Sequence, residues 1–202
     1  MKKVSFSILV FVLVLLSACG QNSQTDSGAM NESSPTVLYN KFLTGEISAE
    51  YESGHEISIN DCLSESTYNM YAIHDMNGDT TPELLVKTAK TFNIFWIKNN
   101  QLCVWYIGSC YCKPLNNMAI LSERPGGAPE HINYIYEILG YNGETMMRID
   151  FSEYSSFEYE GEQYPELYMI NDVKVDKDVY TSLTAPLLNI KDDYIKWEPI
   201  PT

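Results

Sequence analysis

Tyr71-Ala-Ile-His-Asp-Met-Asn-Gly-Asp-Thr-Thr-Pro-Glu-Leu-Leu-Val86 sets two apolar, β-leaning runs on either side of a polar loop. Strand, tight acidic turn and strand is a β-hairpin reading, and it organises the chain around an antiparallel sheet. Within the turn, Asp75, Asn77, Asp79 and Glu83 fall at positions 1, 3, 5 and 9, with Gly78 free to take a left-handed conformation. Oxygen side chains at alternate positions of a tight loop suit a hard cation such as Ca²⁺ better than Mg²⁺, which tends to keep its waters. Asn-Gly-Asp is also turn chemistry that needs no ion, and that reading stands beside the first.

Working outward, Met70–His74 and Leu84–Thr88 flank the loop, while 91–98 and 101–107 form a hairpin closed by Asn99-Asn100. Strands follow over 116–122 and 131–139, separated by the breaker 123–130. Asn142-Gly143 then turns the chain into 144–151, with 157–159 and 167–175 continuing the meander. Ser34-Pro35 opens a short helix with Val37, Leu38, Phe42 and Leu43 as its stripe, stopped at Gly45. Asp176 opens another, carrying Val179, Tyr180, Leu183 and Leu187 and limited by Pro186; Ile195, Trp197 and Ile200 form a last strand. The expected fold is α+β, a mainly antiparallel sheet meander with a short helix near each end.

The N-terminus reads as a processing signal. Lys2 and Lys3 precede an apolar run over 4–16, and Leu16-Ser17-Ala18-Cys19 sets a small residue before a cysteine. This resembles the bacterial lipobox, and the resemblance implies that 1–18 is removed and Cys19 carries the lipid. Several acyl chains on that residue anchor stably where one does so only marginally. Residues 19–34 are a polar tether reaching on the order of 20 Å, and 35–202 a single extracytoplasmic domain held at the cell membrane. Loss of Lys2 and Lys3 takes the formal charge from −14 to −16, which excludes nucleic acid as a partner. The partners expected are the membrane, through the anchor, and an extracellular ligand or envelope protein.

The 75–83 stretch resembles the Asp-x-Asn-Gly-Asp-Gly loops of dockerin and FG-GAP proteins, and the chain from about 36 to 200 resembles bacterial lipoproteins carrying one such loop between strands. That resemblance implies Ca²⁺ ligands at Asp75, Asn77, Asp79 and Glu83, with Thr81 adding its backbone carbonyl. Thr80 departs from the pattern, standing at the usual second glycine. Val86 occupies the place of an EF-hand's last Glu, so an extracellular-type affinity on the order of 10⁻⁴–10⁻³ M is expected.

Cys62, Cys103, Cys110 and Cys112 permit two disulfides outside the membrane, or remain free and buried. A Cys112–His131 dyad is conceivable, but no nucleophile elbow, zinc-protease motif or P-loop is present. The acidic, aromatic segment 153–168 reads as a hairpin with one buried aromatic face, and beside that stands the reading in which exposed tyrosines next to carboxylates stack on sugars. The function expected is a membrane-anchored, non-enzymatic binding or structural module. The alternative is an extracytoplasmic hydrolase or carbohydrate-active protein, favoured if Trp96, Trp105 or Trp197 faces solvent among carboxylates.

Overall fold

A computed structural model describes residues 34–201 apart from 116, 117, 126–130 and 142. The leader, Cys19, the tether up to 33, the Gly-rich part of the 124–129 loop and Asn142 lie outside the described residues.

Helix α1 (Pro35–Leu43) starts where the cap predicts, with Ser34 Oγ accepting from Val37 N–H at 3.4 Å, and ends before Gly45 at φ +77°. It buries Tyr39, Phe42 and Leu43, and the Phe42 ring lies 4.6 Å from that of Phe95. Tyr39 was absent from the predicted stripe, which gave its place to the half-buried Val37 and Leu38. Short strands β1 (Ala49–Glu50) and β2 (Glu56–Ile57) and the single turn α2 (Ile59–Cys62) follow. The Asp61 carboxylate caps α2 by accepting from Ser58 N–H and Oγ–H at 2.8 and 2.7 Å. Then come β3 (Asn69–His74), β4 (Glu83–Thr88), β5 (Thr91–Lys98) and β6 (Gln101–Ser109), each antiparallel to the one before. Asn99 and Asn100, at φ 53° and 62°, form the expected turn.

The antiparallel β character agrees with the sequence reading, but the single meander does not. After β6 the chain rounds a corner at Cys110-Tyr111 and leaves the sheet. Strands β7 (Cys112–Leu115), β8 (Ala119–Pro125), β9 (His131–Leu139) and β10 (Thr145–Tyr154) build a second sheet. A detached hairpin, β11 (Phe157–Tyr159) and β12 (Glu162–Tyr164), comes next. The predicted strand 167–175 is two, β13 (Leu167–Ile170) and β14 (Val173–Val175), turning at Asn171 and Asp172 with φ 48° and 65°. Helix α3 (Lys177–Leu188) and β15 (Glu198–Pro199) complete the chain. The first sheet has the order β15-β3-β4-β5-β6-β1-β2 and the second β14-β13-β10-β9-β8-β7.

Both faces of the first sheet are covered, which is why Glu83 to Val86 is buried without alternation. Leu84, Val86, Phe95 and Leu102 pack under α1 with Cys62. Leu85, Phe92, Ile94 and Trp105 meet Cys112, Ile120 and Leu139 of the second sheet. A bulge in β6 sets Trp105 outside the regular register, and its indole N–H donates to Gly140 O at 2.9 Å. Gly143 comes so close that an added Cβ would sit 2.0 Å from the Trp105 carbonyl oxygen. Helix α3 covers the outer face of the second sheet through Tyr180 and Leu187. Its predicted apolar face is corrected: Val179 and Leu183 are exposed, and Pro186 lies inside the last turn instead of ending the helix.

Candidate metal-binding loop

The loop after β3 is fastened at both ends. Met76 is buried in the core between the sheets, and its carbonyl accepts from Met118 N–H at 3.1 Å. At the far end the Tyr39 hydroxyl donates to Pro82 O at 2.7 Å. Between these anchors the chain satisfies its backbone with its own side chains. Asp75 accepts from the N–H of Gly78 and of Thr80, at 2.7 and 3.0 Å. Asn77 Oδ1 accepts from Asp79 N–H at 2.8 Å, and Asp79 Oδ1 from Thr81 N–H at 2.7 Å.

Glu83 closes the knot from the first residue of β4. Its Oε2 accepts from Met76 N–H at 2.7 Å, while the Asn77 amide donates to Glu83 Oε1 and to Asp79 Oδ2, both at 3.1 Å. With 2 % of its surface exposed, Glu83 is a carboxylate inside the protein. Burial pushes its pKa up to about 7, the Asp79 and Asp75 charges add to the rise, and the Met76 N–H opposes it. Burial, followed by the charges of Glu83 and Asp79, likewise raises the Tyr39 phenol. Among the described residues no Lys or Arg pairs with these three carboxylates.

Asp75, Asn77, Asp79 and Glu83 are therefore brought into one hydrogen-bonded knot, whereas Thr81 joins it only through its N–H to Asp79. Each carboxylate has about four lone-pair sites and uses some of them here, so acceptor capacity remains. The Asn77 amide, shared by two acids, supplies the donor in their midst. No set of three or more His, Cys, Asp or Glu side chains among the described residues is gathered at metal-ligand geometry. Thr80 takes φ +74°, a left-handed conformation that β-branched side chains disfavour.

The other predicted sites disperse. All four described cysteines are free thiols. Cys62 accepts from Asn93 Nδ2 at 3.1 Å and is pushed up to about 11 by burial. Cys112 lies 3.0 Å from Ser122 Oγ, while His131 stacks on Tyr154 at 3.8 Å, so the dyad does not form. Because β6 and β7 belong to different sheets, Cys103 and Cys112 are not cross-strand partners. The 153–168 reading is corrected in part: Tyr168 is buried with Phe151 and Tyr180, but 158–166 is exposed throughout, with Phe157 and Tyr164 stacked at 4.7 Å. Trp105 is buried, and Trp96 and Trp197 are half-buried. Among the described residues no helix is long and apolar enough to cross a membrane. No protein-family model, curated protein or solved structure matches the chain.

Proposed function

We propose that the protein is a surface lipoprotein: a single α+β extracytoplasmic domain over 35–202, tethered by 19–34 to a lipid on Cys19. In this reading it is a non-enzymatic module that binds an extracellular ligand or an envelope protein, braced by one Ca²⁺ in the 75–83 loop. The observation that carries the reading is the knot itself. The Asn77 amide bridges Asp79 and the buried Glu83, Asp75 turns onto the backbone of the same loop, and among the described residues no basic side chain pairs with any of the three. A divalent cation would take the place of the Asn77 amide between Asp79 and Glu83 and draw in Asp75, the Asn77 oxygen and the Thr81 carbonyl. The leader residues Leu16-Ser17-Ala18-Cys19 support the anchor.

Labelling with a radioactive fatty acid tests the anchor, and terbium luminescence displaced by calcium tests the ion. Incorporation that disappears in Cys19→Ala, together with a displaceable signal lost in Asp79→Ala, is the expected pair of results. An unlabelled chain, or terbium emission indifferent to Asp79→Ala, contradicts the corresponding half.

A further inference from the structure

We infer that the groove floored by Trp96 is a saccharide-binding site. The inference rests on the binding-module reading and deepens it by naming the ligand class; it is independent of the calcium loop.

The groove follows from where the second sheet stops. On the face shared by the sheets, Phe92, Ile94 and Trp105 are buried with Ile120 and Leu139, and Trp96 packs against that cluster only in part. Trp96, two residues beyond Ile94 on the same face, is left half-buried. Its ring lies 6.2 Å from that of Trp105 with an interplanar angle of 23°, and Trp105 is itself held by Gly140. The result is a flat apolar platform whose orientation is set from behind.

A polar rim surrounds the platform. Glu50 accepts from Gln101 Nε2 on one side, and Glu52 pairs with Lys98 at 3.6 Å on the other. The Lys98 ammonium lies over the Trp96 ring, 5.6 Å from its centre, and swings aside for a ligand to stack there. Lys98 is 47 % exposed, as befits a surface pair whose opening costs little. The cavity measures about 170 Å³, below drug-sized pockets, and so suits one small ring. A second cavity of about 410 Å³ shares Tyr51, Glu52 and Val104 with it and runs toward Gly143 and Glu144, extending the groove past one unit.

One flat apolar face bordered by carboxylates and an amide, with a displaceable ammonium over it, complements a ligand with a C–H face and polar groups around its edge. A pyranose has that form. Nucleic acid is opposed by the two carboxylates and by the net charge of −14.

Tryptophan emission of the full chain is followed during titration with soluble oligomers of glucose, N-acetylglucosamine and glucosamine. At least one should give a saturable change, weakened roughly tenfold by Trp96→Ala. Glu52→Ala and Gln101→Ala, at exposed positions that leave the melting temperature unchanged, should each weaken it several-fold. The Asp75→Ala, Asp79→Ala double variant should keep the saccharide response, so that failure of the ion reading and of this one are seen separately. Absence of a saturable change with all three oligomers overturns the assignment. So does a response that survives Glu52→Ala, Gln101→Ala and Trp96→Ala alike.

Discussion

Two stretches of this chain are rich in acids and written in turn residues, and they are put to opposite uses. The 75–83 loop draws Asp75, Asp79 and Glu83 onto its own backbone, anchored by Met76 in the core and by Tyr39 above it. The 157–164 hairpin leaves Glu158, Glu160 and Glu162 in water. Next to it, Glu166 meets Lys177 at 2.9 Å in an exposed pair. Composition is alike in the two; burial and donor geometry are not. A carboxylate acquires unusual chemistry where water is removed and fixed N–H groups take its place.

Removing the loop acid should cost most. Glu83→Ala leaves the Met76 N–H without its buried acceptor and opens a hole at the start of β4, for about 3–4 kcal/mol in urea unfolding. Glu160→Ala and Glu162→Ala, on the hairpin, should stay within about 0.5 kcal/mol. Equal losses in the two regions would break the comparison.

Titration should separate the regions by sign. In chelator, the unfolded Glu83 carboxyl has its ordinary pKa of 4.5 and the folded one about 7. Between those values the native state holds the extra proton. Glu83's contribution is therefore fully present below pH 4.5 and is lost as pH rises through 7, for about 3 kcal/mol. Subtracting the curve of Glu83→Gln isolates it. Glu166 behaves oppositely: the Lys177 ammonium, and then the Tyr168 hydroxyl, hold its carboxyl below the usual range. Its contribution is present above the unfolded pKa and falls away as pH drops through the folded one. A Glu83 difference curve rising with pH in chelator would contradict the buried-acid account.

A smaller effect comes from the backbone. Thr80 at φ +74° carries strain that glycine does not, so Thr80→Gly should raise stability by about 1 kcal/mol even after glycine's greater unfolded entropy. The same change at Glu160, at φ 54° in the exposed hairpin, should raise stability too, but by less than at Thr80, because the αL penalty is greater for a β-branched side chain.

What was legible in the sequence was local. Ser34-Pro35 states where α1 begins, Asn99-Asn100 states a turn, and the spacing of Asp75, Asn77, Asp79 and Glu83 states which oxygens share a loop. Asn171-Asp172 carried the same turn signal as Asn99-Asn100 but lay inside an apolar run, so two strands were read as one. The second sheet was hidden because a strand buried on both faces, such as β4, does not alternate and does not say what covers each side. Tyr39 was missed as a loop anchor because its partner, Pro82 O, is a backbone atom 43 residues away. The face of α3 was misjudged because apolar spacing marks a stripe, while the helix buries Tyr180 and Thr184 and packs Leu187 against the sheet face beneath.

The central claim is that the knotted acids of the first region hold calcium and those of the second do not. Thermal unfolding in calcium at about ten times its dissociation constant should show roughly 1.4 kcal/mol of added stability. The gain should vanish in the Asp75→Ala, Asp79→Ala double variant and persist in Glu160→Ala, Glu162→Ala. A melting temperature indifferent to millimolar calcium in the unaltered chain, or a gain that survives loss of both loop aspartates, would contradict the account.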